Sequence, residues 1–183
     1  MSPALNIETK ARFDDFALAA EKLEGAGAHH AGILLQRDQY FDVTEDRLKL
    51  RTVEEHPVGG TPTAHMELIA YQRPNVQGAR TSRYTITKVD DVEATLGGLR
   101  ADHGLRVEVV KLRQLWLLGS TRIHLDAVDE LGNFVELETV DDGRPHEVLW
   151  QEHRRLAALL DISDSDCIAE SYVDLLESAQ QTR

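Results

Sequence analysis

Apolar and polar positions alternate along much of the middle of this chain. Segments 5–13, 47–53, 64–73, 82–89, 105–117, 121–128 and 133–140 show period-two alternation or β-branched enrichment, which predicts strands. Residues 38–41 add a further short candidate. Helical patterns lie between and after them. Asp14 or Asp15 caps a predicted helix running through Leu23, and Asp90 or Asp91 caps another that ends near Gly104. Glu147 to Leu160 is amphipathic, with Leu149, Leu156, Leu159 and Leu160 on one side, and a last helix is expected from Ser165 or Asp166. Turn formers fill 56–63, 75–79 and 141–145, so 56–63 reads as a long hairpin loop and not as a domain linker. Antiparallel-looking strands with separate helices predict an α+β fold.

The alternate positions of these strands carry charge. Asn6, Glu8, Lys10 and Arg12 share one face, and Arg47, Lys49 and Arg51 share another. Glu67 and Arg73 fall together, as do Lys111 with Arg113, Arg122 with His124 and Asp126, and Glu136 with Glu138. Two arrangements satisfy this pattern. In one, helices cover the apolar face of an open sheet and the charges meet water. In the other, the sheet closes with its charges inward, and they must then be paired or bound to a ligand. A polyphosphate with a divalent cation meets that need, because carboxylates bind the hard ion and Lys and Arg neutralise phosphate oxygens. Periodicity leaves both open.

Composition narrows the partners. The 183 residues suffice for one domain with a sizeable core, and a net charge of −12 argues against a nucleic-acid or anionic-membrane surface. The lone Cys167 precludes an intrachain disulfide, and no apolar run is long enough to span a bilayer. The start Met1-Ser2-Pro3-Ala4 lacks a secretory pattern, so a cytoplasmic location is expected. Neither a P-loop nor a dinucleotide fingerprint is present. The eight histidines form no metal-spaced cluster: His29-His30 read as a turn or surface pair, and His124 as a barrel histidine or a site residue. Trp116 and Trp150 read as core, and Cys167 as a packed thiol.

The segment Asn6-Ile7-Glu8-Thr9-Lys10 resembles the Glu-x-Glu-x-Lys signature of the CYTH superfamily, the triphosphate tunnel metalloenzymes. Arg47 to Arg51, Glu67 to Pro74, Ser82 to Tyr84, Val110 to Arg113, Arg122 to Asp126 and Leu131 to Glu138 are similar to its later blocks, in order. The tail Glu170 to Leu176 is similar to the ending of the class IV adenylate cyclase branch. The resemblance implies a closed eight-stranded antiparallel β-barrel with helices packed outside. It implies one domain over residues 1–183, whose helical portion from about 146 packs on the barrel. It also implies Mg²⁺ or Mn²⁺ on Glu8, Glu136 and Glu138. Lys10, Arg51, Lys111 and Arg113 would bind the triphosphate, joined by the inward-facing Lys49, Arg73 and Arg122. Lys10 and Asp126 are the catalytic candidates.

The activity so implied is conversion of ATP to cyclic AMP and pyrophosphate. Hydrolysis of tripolyphosphate, thiamine triphosphate or nucleotides is the alternative, and non-catalytic binding of a polyphosphate or nucleotide a third. Nucleic-acid and membrane partners are not expected, and homodimerisation is left open. Two departures stand out. Asn6 replaces the first Glu of the signature, and Tyr71 stands where many relatives have Lys.

Overall fold

The computed structural model describes residues 4–44, 47–72 and 80–181. Its strands are β1 (Ala4–Arg12), β2 (His29–Phe41), β3 (Arg47–Pro57), β4 (Thr63–Gln72), β5 (Arg80–Lys88), β6 (Leu105–Leu118), β7 (Thr121–Val128) and β8 (Gly132–Val140). Its α-helices are α1 (Phe16–Gly25), α2 (Val92–His103), α3 (His146–Leu159) and α4 (Tyr172–Gln181). All strand pairings are antiparallel. Because β1 pairs with both β5 and β8, the order β1-β5-β4-β3-β2-β6-β7-β8 returns on itself as a closed barrel.

The helix starts follow capping chemistry. Asp15 accepts from the Leu18 N–H at the head of α1, and Asp91 accepts from Ala94 at the head of α2. Two expectations need correction. The segment 38–41 is only the end of a 13-residue strand that also takes in His29-His30, so these histidines do not form a turn. The part of the strand before Asp38 shows no clear period because Ile33-Leu34-Leu35 interrupts the alternation: Leu34 lines the interior while Leu35 is exposed outside. At the other end of the chain, capping around Ser163 and Asp166 closes only a 3₁₀ turn over Asp164–Asp166. The last helix restarts at Tyr172, where Ser171 and Asp174 hydrogen-bond to each other.

The apolar faces of the strands point outward beneath the helices. α1 contributes Ala19 and Leu23, and α3 contributes Leu156 together with its C-cap Leu160, to a core with Trp116, Ile123, Leu125, Val135 and Leu137 of β6, β7 and β8. A second core joins Tyr172, Val173 and Leu176 of α4 to Tyr40, Val109, Val128 and Phe134. By contrast, α2 buries no side chain. No helix among the described residues is long and apolar enough to cross a membrane.

Where β2 begins, its register against β6 shifts between His30 and Gly32. A Cβ built on Gly32 would lie 2.4 Å from the His56 carbonyl oxygen of β3, so only glycine lets the two backbones approach there. Gly32→Ala is expected to cost about 1–3 kcal/mol through overpacking against a backbone that cannot yield. The measurement is the urea midpoint, which should fall with the slope unchanged.

Candidate functional site

Inside the barrel lies a cavity of about 380 Å³. Glu8, Lys10, Lys49, Arg51, Lys111, Arg113, Arg122, Glu136 and Glu138 all line it. Every described residue predicted to bind metal or triphosphate therefore faces one space. Asp126 is fully buried in the wall beneath them, and Arg73 lies outside the described residues. Strand alternation explains the convergence. Once the outer faces are covered by helices, every second side chain of every strand turns inward.

The charges are organised around two buried aspartates. Asp126 of β7 accepts two hydrogen bonds from Arg113 of β6, from Nε and from a terminal nitrogen, each 2.6 Å. Lys111 Nζ lies 3.8 Å from the same carboxylate. Asp38 of β2 accepts from Arg51 Nε at 2.6 Å, from a second Arg51 nitrogen at 2.8 Å and from Lys49 Nζ at 2.8 Å. Burial alone would raise both carboxyls, but the neighbouring cations hold each below its usual value. Forked pairing fixes the planes of both guanidiniums.

Not all the positive charge is offset. Burial, together with the adjacent Arg51 charge, brings Lys49 down to about 7 despite Asp38. Burial and Arg113 bring Lys111 down to about 8 despite Asp126. Burial and Arg113 likewise keep His124 neutral, its pKa well below the ordinary histidine value.

On the opposite wall, β1 and β8 carry the acidic side. Glu8 stands directly across from Glu138, and Lys10 across from Glu136. Glu136 accepts from Arg113 at 2.9 Å and lies 4.0 Å from Lys10 Nζ. Glu138 accepts from Arg122 at 3.1 Å and from the Asn6 amide nitrogen at 2.5 Å. Asn6 thus meets the acidic wall as a donor to Glu138.

Among the described residues, no three His, Cys, Asp or Glu side chains gather closely enough to hold a metal ion by themselves. The donors nevertheless suit Mg²⁺ or Mn²⁺. They are hard carboxylate oxygens facing the cavity, and Mg²⁺ is commonly held by one or two carboxylates with substrate phosphates completing its shell. A site of that kind needs no protein cage.

Two site residues were not foreseen. Asp38 opens the short 38–41 candidate, whose pattern marks no inward charged face. Tyr172, at the first turn of α4, enters the cavity lining and donates from its hydroxyl to Asp126 at 2.8 Å. Its ring lies 3.9 Å from Lys10 Nζ and 5.0 Å from Lys111 Nζ, within cation–π range. Only the Ser171-Tyr172 pair in the family-like tail signalled it. Tyr71, the departure on the basic side, lines the cavity too. Lys49 Nζ sits 5.6 Å from its ring and 5.4 Å from that of Tyr40.

A barrel of eight antiparallel strands with an ionic interior and helices outside defines the class of fold. The chain belongs to the CYTH domain family, which it matches over residues 4–172. Solved structures agree in fold. The PH1012 protein of Pyrococcus horikoshii is 22% identical with a TM-score of 0.75, over 93% of this chain and 98% of that one. A candidate adenylate cyclase from Vibrio parahaemolyticus is 19% identical with a TM-score of 0.71, over 96% and 99%. A candidate adenylyl cyclase from Hippeastrum, HpAC1, described as having a dominant triphosphatase activity, is 16% identical with a TM-score of 0.62, over 95% and 96%. No curated protein sequence matches the chain.

Removing the Asp38 charge tests the electrostatic account. Asp38→Asn leaves Lys49 and Arg51 buried without their anion, so stability should fall by about 3–5 kcal/mol. Added tripolyphosphate should restore part of the lost melting temperature, and restore more in the variant than in the parent protein.

Proposed function

We propose that this chain is a metal-dependent enzyme that acts on a triphosphate held in the barrel, cyclising ATP to cyclic AMP and pyrophosphate. One observation carries the triphosphate part of this reading. Six cations line the cavity, and two of them, Lys49 and Lys111, are held well below their ordinary pKa by burial and by neighbouring guanidiniums. Around these two lysines, Lys49, Arg51, Lys111 and Arg113 share the carboxylates of Asp38 and Asp126, and a polyanion bound beside them would supply further negative charge.

In this reading Arg51 and Arg113, preset by Asp38 and Asp126, grip phosphate oxygens. Lys49, Lys111 and Arg122 add charge along the chain of phosphates. Lys10 approaches from the acidic wall, held between Glu136 and the Tyr172 ring. Glu8, Glu136 and Glu138 would hold the divalent cation, which when bound neutralises phosphate charge and favours the in-line geometry. The ribose 3′ hydroxyl gives its proton to solvent as its oxygen attacks the α-phosphorus, the bond to the bridging oxygen breaks, and pyrophosphate departs with the electron pair. The cations stabilise the charge that grows on that leaving group. The similarity of the tail to the cyclase branch, and the fold shared with the Vibrio protein, support cyclisation.

Hydrolysis is the second reading. The cavity is near the lower end of the size usual for small-molecule pockets, and its charges address phosphate and not a base. Water would then attack the terminal phosphorus and release orthophosphate. A single domain over residues 1–183 and a cytoplasmic location accompany either reading, the latter supported by the one unpaired cysteine.

Product analysis decides between the reactions. Purified protein with ATP and Mn²⁺ should yield cyclic AMP and pyrophosphate in equal amounts. Orthophosphate from ATP or tripolyphosphate, without a cyclic product, would establish hydrolysis instead. Binding without turnover of any triphosphate would leave a non-catalytic binder. Arg113→Ala should reduce turnover by about 10²-fold or more, as loss of a preorganised charge-stabilising donor does.

Titration provides a second check. Bound polyanion raises both lysine pKa values, so binding near pH 8 should take up protons from buffer. Calorimetry in buffers of different ionisation enthalpy measures this, and zero uptake would refute this account of the two lysines. In the free protein the sign is opposite to that of a salt-bridged lysine. Both pKa values are depressed on folding, so the unfolded chain binds more protons between about 7 and the ordinary lysine value. The contribution of these two groups to stability therefore increases as pH rises through that window.

A further inference from the structure

A line of polar groups between α3 and the outer barrel wall takes no part in the cavity. His153 of α3 is only 1% exposed, and Thr9, Thr139 and Thr121 are buried beside it. His153 Nε2 lies 2.7 Å from Thr9 Oγ1 of β1, and Nδ1 lies 2.8 Å from Thr139 Oγ1 of β8. Thr139 Oγ1 is 2.7 Å from Thr121 Oγ1 of β7, which donates to Glu152 Oε1 at 2.9 Å. Glu152 also accepts from the Ser120 N–H at 2.7 Å and from Arg144 at 2.8 Å.

The direction of every bond follows from one end. A carboxylate offers only lone pairs, and a hydroxyl has a single hydrogen. Thr121 gives that hydrogen to Glu152, so its oxygen must accept from Thr139. With its hydrogen engaged, Thr139 must accept from His153 Nδ1. Nδ1 therefore carries the proton, Nε2 is bare, and Thr9 donates to it. Burial and the nearby Arg154 charge lower His153 to about 4, which keeps the ring neutral near neutral pH.

We infer that this one-way relay locks His153 in the Nδ1–H tautomer and makes it a positioning residue for the acidic wall of the cavity. The second half of this inference rests on the proposed metal-dependent triphosphate chemistry. Thr9 lies between Glu8 and Lys10, and Thr139 follows Glu138. Side chains alternate, so the threonines face α3 while those charged neighbours face the cavity. In register, Thr139 stands opposite Ile7 and Thr9 opposite Leu137, so His153 ties β1 to β8 diagonally. Within that span Glu8 is directly across from Glu138. Like charges so placed push strands apart, and the histidine tie on the far face opposes that push. Gly119 helps to seat the carboxylate end, since a Cβ there would lie 2.8 Å from Glu152 Oε1.

The tautomer is read directly from nitrogen-15 NMR of the histidine-labelled protein, with His153→Gln used to assign the resonance. Nδ1 should be the hydrogen-bearing nitrogen and Nε2 the bare one, with no substrate or metal present. A protonated Nε2, or rapid averaging of the two forms, overturns the relay. The positioning role is read from Mn²⁺ affinity, measured with tripolyphosphate by the electron paramagnetic resonance of free Mn²⁺. Thr9→Val removes the last hydroxyl and keeps the branched shape, and should weaken Mn²⁺ by about ten-fold. Thr9→Ser should keep the parent affinity. Unchanged Mn²⁺ affinity in Thr9→Val, with only a lower melting temperature, overturns the positioning role. Parent protein that binds no Mn²⁺ with tripolyphosphate refutes the proposed function and the positioning role together, while the tautomer result stands.

Discussion

Enclosing charge is the constraint on which the rest of this structure depends. A half-buried sheet can leave its ionic face in water, but a barrel closed through β1 cannot. Every inward Lys, Arg, Asp and Glu must then find an opposite charge within a few ångströms or lose much of its ionisation. Asp38 and Asp126 answer that need on one side, each forked to an arginine of a neighbouring strand. On the other side Glu136 and Glu138 are shared among Arg113, Lys10, Arg122 and Asn6. The net charge of −12 belongs to the whole molecule and misdescribes its interior, where cations line the cavity in numbers an anion can use.

The C-terminal segment completes the arrangement by backbone chemistry. β1 pairs with β5 along its first half, through Glu8, whereas its pairing with β8 continues to Arg12. The side of β1 beyond Glu8 is occupied by the tail: the Ile168 N–H donates to the Lys10 carbonyl at 2.7 Å, and Cys167 bridges to Ala11. Four residues later the chain enters α4, with Tyr172 already inside the cavity lining. Arg47, which bonds both Ser171 and Asp174, fastens the same turn to β3.

Most strands were legible because their outer faces are apolar and their inner faces charged, and that contrast survives in sequence as period two. β2 failed the same test. Its inner face mixes Leu34, Gln36 and Asp38, its outer face exposes Leu35, and its glycine bulge breaks the phase. Asp38 falls in the short 38–41 candidate, which shows no charged face, so the inward-facing Lys49 and Arg51 were read without their counter-ion. Tyr172 was missed for a different reason: a helical residue reaches a site through the placement of its helix, and that is set by the Ile168 and Arg47 contacts, not by a local period. The helix predicted from Ser165 had its capping chemistry at hand, but Ser163 and Asp166 close on each other after a single turn. At Asn6 the sequence showed a missing charge. The structure adds that the amide nitrogen gives Glu138 a hydrogen bond that a glutamate at that position would not supply.

Tyr172 also bears on traffic. It stands at the end of the barrel where β8 begins, edge-on to Phe134 and with its hydroxyl fixed to Asp126. An aromatic ring anchored there narrows that end of the cavity. On the proposed reaction, substrate and both products would then share the opposite end, and the product held by the most charges would leave last.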